Sequence, residues 1–499
     1  MRVSAILLTL LLSCPLAIAG GTVGFNVKPY SIPELPSVDG NYPVTTGVVI
    51  ADFNRDGIPD VAYSWPCCEL GSPGEVILKM GTGGGKLGPD VPYSFGANDL
   101  GQLVAADVNG DGWLDILARD PIQGWISVLL NDGHATFQYS AIVMGGGPFV
   151  VGDFNRDGKV DIIDAECPSG TFVCALNIGL NDGTGLHFAQ SQIHLAGPAN
   201  DLQSGDINGD GKLDLVFSRG SVGVIMWGRG DGTFSGPTYL RPSTTDPADA
   251  VALADFNNDG RLDVALLSGN PCFADPDRGA CGQGNVNRVW MYKNNGGTNF
   301  TLTTHVQFTA QAGVIVPADI NGDLNQDLLR YNPYPEGLEP RIGATGGFEY
   351  VLGLGNDTLG TQGMFPESGT GAVAFRDMDG DSRGDYAVID WYTNQLDIGI
   401  QTGGWKNCAP PNSAKLAAKI CGVSNGATVS SPVLLRAAGN SPAGVNQLQV
   451  WIDGKKQYVK WGDQVAKKFT LSAGQHRIAV VANDKYVGSA TTAINVTVQ

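Results

Sequence analysis

Asp52-Phe53-Asn54-Arg55-Asp56-Gly57-Ile58-Pro59-Asp60 decides the fold, because its pattern returns along most of the 499-residue chain. Four further runs match D-x-N-x-D-G-x-x-D and start at Asp107, Asp153, Asp206 and Asp255. Two variants start at Asp319 and Asp377, with Leu324 and Ser382 in the glycine position. Successive starts lie 46 to 64 residues apart, the mark of an architecture in which each unit needs its neighbours to bury a core. The flanks of the first run, Val48-Val49-Ile50-Ala51 and Val61-Ala62-Tyr63, are apolar stretches of strand type. Each acidic loop is therefore expected to join two strands of a hairpin.

The spacing has a chemical reading. A hard cation such as calcium takes six to eight oxygens, and a tightly turned loop aims alternate residues inward. Positions 1, 3, 5 and 9 would supply side-chain oxygens and position 7 its backbone carbonyl, while glycine at position 6 takes the sharp turn. In the first loop these are Asp52, Asn54, Asp56, Ile58 and Asp60. The next four sets are Asp107, Asn109, Asp111, Trp113 and Asp115; Asp153, Asn155, Asp157, Lys159 and Asp161; Asp206, Asn208, Asp210, Lys212 and Asp214; and Asp255, Asn257, Asp259, Arg261 and Asp263. The variant sets are Asp319, Asn321, Asp323, Asn325 and Asp327, and Asp377, Asp379, Asp381, Arg383 and Asp385. Position 12 of the first loop is Tyr63 rather than glutamate, and the flanks are strands rather than helices, so the loop is not an EF-hand. The seven loops hold 22 carboxylates against a formal net charge of −18, so the acidity of the chain resides in its loops. Extracellular calcium would keep such loops filled, which argues for a structural cation rather than a sensor.

A second signature follows each loop: Leu129-Leu130-Asn131-Asp132-Gly133, Gly179-Leu180-Asn181-Asp182-Gly183 and Gly230-Asp231-Gly232-Thr233-Phe234 are examples. Two turn signals per unit give four strands, A to D, with the acidic loop between A and B. Glycine, 70 of 499 residues, is about twice as common as usual, in keeping with many tight turns. Seven such units give an all-β chain folded as a seven-bladed β-propeller. These residues resemble the FG-GAP/VCBS repeats of calcium-loop propellers, the integrin α-chain head among them, over residues 22–406. No D strand follows the last C strand near 396–400, so a strand at 24–32 is expected to close the ring. The expected domains are a signal peptide (1–20), the propeller (21–407) and a small β-sandwich (408–499).

In such a blade the A–B loops lie on one face and the B–C and D–A connections on the other. The insertions at 65–74, 167–174, 269–288 and 331–340 fall on the second face, which the integrin resemblance also implies to be the ligand face. Expected ligand contacts are Trp65, Trp125, Phe273, Asp275, Asp277, Arg278, Tyr331, Tyr334, Trp391 and Tyr392. The alternative for each aromatic is that it caps a blade core.

Arg2, the apolar run 3–12 and Ala17-Ile18-Ala19 read as a secretory signal; Leu11-Leu12-Ser13-Cys14 is a poor lipobox, so lipid anchoring is not expected. Eight cysteines remain beyond Cys14, in near-neighbour pairs: Cys67 with Cys68, Cys167 with Cys174, Cys272 with Cys281 and Cys408 with Cys421. Local bridges are the simplest pairing in an oxidising compartment. Beyond residue 20 no apolar run approaches the roughly 18 residues of a membrane span. The acidic balance disfavours nucleic acid. Arg383-Gly384-Asp385 spells an adhesion tripeptide, but Asp385 is position 9 of a loop and so is expected to be occupied. The histidines show no zinc spacing, and neither a nucleophile elbow nor a phosphate loop occurs. No catalytic residue can be named.

Residues 408–499 hold ten Lys and Arg against three Asp and no Glu. Alternation at Leu448, Val450 and Ile452, the Asp453-Gly454 turn, and the runs 478–481 and 494–498 suggest an antiparallel sandwich resembling a bacterial immunoglobulin-like module. Its basic charge would suit an anionic envelope polymer or the propeller itself, or simply be solvated. The sequence thus points to a secreted, calcium-stabilised binding or adhesion module for an extracellular glycan or protein. The alternatives are a polysaccharide-lyase-like enzyme on the same scaffold and a structural surface component.

Overall fold

A computed structural model describes residues 23, 25–32, 47–65, 74–94, 101–120, 124–167, 174–242, 247–268, 287–308, 313–323, 325–331, 348–365, 372–381, 383–390, 395–402, 408, 411, 415–421, 423–442, 444–484 and 488–499. The expected signal peptide lies outside them.

Among the described residues the strands form seven four-stranded sheets, and every pairing within them is antiparallel. Sheet 1 is Val48–Ala51, Asp60–Trp65, Glu75–Gly83 and Lys86–Ser94 in spatial order. Sheets 2 to 6 repeat this consecutive order. In all seven, strand B begins on the ninth residue of the acidic loop: Asp60, Asp115, Asp161, Asp214, Asp263, Asp327 and Asp385. Sheet 7 departs in one respect. Its first three strands are Val373–Arg376, Asp385–Asp390 and Gln395–Gln401, and its fourth is the N-terminal strand Phe25–Ser31. That strand runs antiparallel to Gln395–Gln401, from Phe25 opposite Gln401 to Ser31 opposite Gln395.

The sheets close on themselves as a β-propeller. Strand A of sheet 1 touches strand A of both sheet 2 and sheet 7. The core is divided into wedges between neighbouring sheets. Val61, Tyr63 and Trp65 pack with Ala387 and Ile389 toward sheet 7, while Ala62 packs with Leu103 and Ile116 toward sheet 2. Strand B is thus buried on both faces, which is why its residues read as a continuous run rather than an alternating one. The closing strand is held by more than its ladder. The Phe25 ring lies 5.2 Å from Phe365 and 4.9 Å from Tyr386, Lys28 Nζ donates to Gly84 O at 2.7 Å, and Leu87 N–H donates to Tyr30 Oη at 2.9 Å. It therefore joins sheet 7 to sheet 1 as well as completing sheet 7.

The C-terminal residues form a three-stranded and a five-stranded sheet around a shared core of Leu435, Ala437, Leu448, Val450, Ile478 and Val480. The expected alternation at Leu448, Val450 and Ile452 faces this core. The sandwich is not wholly antiparallel: Ala427–Val429 pairs parallel with the last strand, Ser489–Val498. Disulfides join Cys167 to Cys174 and Cys408 to Cys421; Cys67, Cys68, Cys272 and Cys281 lie outside the described residues. Among the described residues no helix is long and apolar enough to cross a membrane.

Candidate functional site

The acidic loops share one hydrogen-bond scheme. In the first, Asp52 Oδ1 accepts the Asp56 N–H at 3.1 Å and Oδ2 that of Gly57 at 2.9 Å. Asn54 Oδ1 also accepts from Asp56, at 2.9 Å, and Asp56 Oδ1 accepts from Ile58 at 2.7 Å. The third, fourth and fifth loops repeat all four bonds. The glycine at position 6 has φ of 84° in the first loop and 90° in the second, a conformation that a Cβ would strain. Position 2 is always apolar and buried: Phe53, Val108, Phe154, Ile207, Phe256, Ile320 and Met378 pin the loops to the wedges.

Position 9 does two things. Asp60 Oδ2 accepts the Phe53 N–H at 2.9 Å, and Oδ1 accepts the Gly81 N–H at 2.8 Å, so one carboxylate staples the loop to strand C. Each oxygen keeps a second lone pair for another partner. These carboxylates are almost completely buried, and burial raises their pKa, with neighbouring loop carboxylates adding to the effect and the amide donors opposing it. Asp60 and Asp115 are pushed up to about 7, and Asp263 and Asp385 to about 8. A metal fits this chemistry. The donors are carboxylates, amide oxygens and a carbonyl, all hard oxygen ligands, and at least three carboxylates share each loop. In the seventh loop, one carboxylate oxygen each from Asp377, Asp379 and Asp385 lie within 4.8 Å of one another. Basic residues at position 7 pair with position 5 in four loops: Lys159 with Asp157 at 3.3 Å, Lys212 with Asp210 at 3.2 Å, Arg261 with Asp259 at 2.6 Å, and Arg383 with Asp381.

Two features escaped the sequence reading. The first is a latch between sheets. Asn181, at the end of strand C in sheet 3, donates from Nδ2 to Val108 O at 2.7 Å in the second loop and to Val160 O at 2.8 Å in its own. Asn131 bridges Phe53 O and Leu114 O in the same way, and Asn294 bridges Ile207 O and Leu262 O. Where this residue is Gly81, Gly228 or Gly353, a Cβ would lie 2.0 to 2.2 Å from the position 8 carbonyl. Gln401 makes the same reach, from Nε2 to Ile320 O, and the recurrence of Asn, Gln or Gly at this one position was the available clue.

The second is position 4, which is left-handed in every loop: Gly110, Gly209, Gly322 and Gly380 in four, but Arg55, Arg156 and Asn258 in three. Asn258 receives the sandwich. Tyr458 Oη donates to Asn258 O at 3.2 Å, Lys460 Nζ bonds Asn258 Oδ1, and Asn258 Nδ2 donates to Asn325 Oδ1 at 2.8 Å. Burial lowers the pKa of Lys460, and the nearby carboxylates of Asp255, Asp319 and Asp323 oppose that shift. A second tether joins Arg376 Nη1 to Pro442 O at 2.8 Å. The sandwich therefore docks on the face that carries the acidic loops.

On the opposite face, two expected ligand contacts are corrected. Trp65 is 5% exposed in the wedge between sheets 7 and 1, and Tyr331 is 7% exposed against Phe348. Both fill tapering gaps between sheets and do not present a ring to solvent. Trp125 is half-buried as the first residue of strand C, with its indole N–H buried and without a hydrogen-bond partner among the described residues. Phe273, Asp275, Asp277, Arg278, Tyr334, Trp391 and Tyr392 lie outside the described residues. Asp385 of the adhesion tripeptide is buried, with both oxygens on backbone N–H groups of Met378 and Gln401. Near the disulfide, buried Asp164 and half-buried Glu166 share the Asn177 amide, 3.1 Å from each, and burial pushes Asp164 up to about 8.

The chain carries FG-GAP-like repeats: that family matches residues 107–163 and 206–266. No curated protein matches the sequence. Among solved structures, the chain is similar to an Agrocybe aegerita lectin that recognises non-reducing terminal N-acetylglucosamine (16% identity, 64% of this chain and 80% of that one, TM-score 0.42). It is also similar to the WD40 domain of Toxoplasma gondii coronin (10%, 76% and 86%, TM-score 0.45) and to an exotype rhamnogalacturonan lyase (14%, 74% and 75%, TM-score 0.43).

Proposed function

We propose that this FG-GAP-repeat propeller is a secreted binding module, filled with calcium at its acidic loops, that recognises an extracellular glycan or protein through the loops of the opposite face. The observation that carries the reading is the division of labour between faces. One face holds seven near-identical oxygen-lined loops and is partly covered by the chain's own sandwich. The other carries the connections that differ from sheet to sheet. Binding surfaces concentrate on such variable loops over a rigid scaffold. The disulfides agree with an oxidising compartment. The test is binding of the mature chain to a glycan and polysaccharide array in calcium, with product release followed in the same wells. Binding that is lost when residues 269–286 are replaced by a short Gly-Ser linker supports the reading; binding indifferent to that replacement and to similar changes in the other opposite-face loops overturns it.

A second reading, a carbohydrate-active enzyme on the same scaffold, has one observation in its favour. Asp164, with its pKa raised to about 8 beside Glu166, has the environment of an acid kept protonated at neutral pH. Product release abolished by Asp164→Asn with binding retained would select it.

A further inference from the structure

A cleft of about 540 Å³ lies between the sandwich and the first three acidic loops, away from the face assigned to ligand above. Arg55, Lys159 and Lys415 bring three cations to its wall, and Asp107 and Asp484 two carboxylates. Both acids and Lys159 have partners within the protein, Lys159 lying 3.3 Å from Asp157. Asp107 accepts the N–H groups of Gly110 and Gly112, both at 2.8 Å, and Asp484 accepts that of Gly488 at 2.8 Å.

Arg55 is placed differently. Its backbone is left-handed, with φ of 57°, a conformation that costs an L-residue about 1–2 kcal/mol. Its guanidinium carbon lies 4.5 Å from the centroid of the Trp113 ring, so the stack fixes the plane while leaving the edge donors for other partners. Gly112 makes room for this arrangement, since a Cβ there would come within 2.7 Å of Arg55 Nη2. Arg55 Nε is buried and has no hydrogen-bond partner among the described residues. The left-handed backbone is common to position 4 of every loop, whereas an unsatisfied donor beside a cleft is a feature that a bound acceptor would explain.

Leu416 and Pro442 of the sandwich add an apolar surface to the same wall. The volume lies within the roughly 300–1,000 Å³ range of small-molecule sites, which favour domain boundaries. We propose that this seam binds an acidic saccharide unit, its carboxylate on Arg55 and Lys415 and the apolar face of its ring on Leu416 and Pro442. The assignment rests on wall residues alone and is independent of what the opposite face binds.

The test is titration calorimetry of the mature full-length chain in calcium buffer with digalacturonate, and with lactose as the uncharged control. Digalacturonate is expected to bind, with an affinity that falls as salt is raised, and lactose to bind at least tenfold more weakly. Arg55→Gly keeps the left-handed backbone and removes the guanidinium; Lys415 is an exposed residue of the cleft wall, so Lys415→Ala removes its charge with little loss of packing. Each is expected to weaken digalacturonate at least tenfold with the melting temperature unchanged. If Arg55→Gly does not fold, Lys415→Ala alone decides. No digalacturonate binding, equal binding of lactose, or an affinity untouched in the folded variants overturns the proposal.

Discussion

The two faces of the ring follow opposite rules. On the acidic-loop face, nine residues are repeated with the same donors and acceptors in successive sheets, down to the staple from position 9 to strand C. On the other, the connection after strand B ranges from a two-residue turn at Gly220-Ser221 to the long segment 269–286. Repetition marks what the scaffold requires everywhere, and variation marks what only one place requires. That contrast is what the proposed function rests on: stability from the first face and recognition by the second.

The largest expected effect breaks the contrast at its base. Chelation should lower the melting temperature by about 10 °C or more, since each filled site contributes roughly 2.7 kcal/mol at a hundredfold excess over its dissociation constant. An unchanged melt in calorimetry would remove calcium from the account. The pH dependence in chelator has a defined sign. Folding raises the position 9 pKa values from an ordinary 3.8 to about 7 for Asp60 and about 8 for Asp263, so the folded state holds protons that the unfolded chain releases. Stability without metal should therefore be greatest near pH 4 and fall as pH rises toward 8, whereas calcium affinity should rise over the same range. Denaturant melts at fixed pH values, with and without calcium, would show both trends or refute them.

Next comes the latch. Asn181→Ala leaves two buried carbonyls without donors, each worth about 1–3 kcal/mol. A loss of roughly 2–4 kcal/mol in urea is expected, and a loss below about 0.5 kcal/mol would show that the sheets hold together without it. Lys460→Met should be milder for the ring and sharper for the seam. Solution scattering should show a larger radius of gyration as the sandwich swings away, while an unchanged radius would assign docking to Arg376 alone. Shortening 269–286 should move the melting temperature least, by about 2 °C or less; a larger drop would mean that the segment braces the scaffold.

The all-β repeat and the acidic loops were legible because backbone geometry forces them into sequence: a glycine where φ is positive, a carboxylate at each alternate position, an apolar run wherever a strand is buried on both faces. Trp65 and Tyr331 misled because an aromatic beside an insertion has the same composition whether it fills a wedge or meets a ligand. Asn131 and Asn181 were visible as turn residues, yet their amides act between sheets, a partnership no local pattern encodes. Asn258 was hidden more deeply, since position 4 varies and its partners, Tyr458 and Lys460, lie some 200 residues downstream.

The fourth strand of sheet 7 is the first in chain order among the described residues. Phe25–Ser31 must wait for Gln395–Gln401, and almost the whole ring separates them. The entropy of closing so long a loop grows only logarithmically, by about 0.6 kcal/mol per doubling, so the thermodynamic burden is small. The kinetic burden is larger, because remote pairings form slowly. Ring closure is thus a late event in folding, and a chain halted before residue 395 would leave Asp385–Asp390 as an exposed edge of sheet 7 and Phe25–Ser31 without its partner strand.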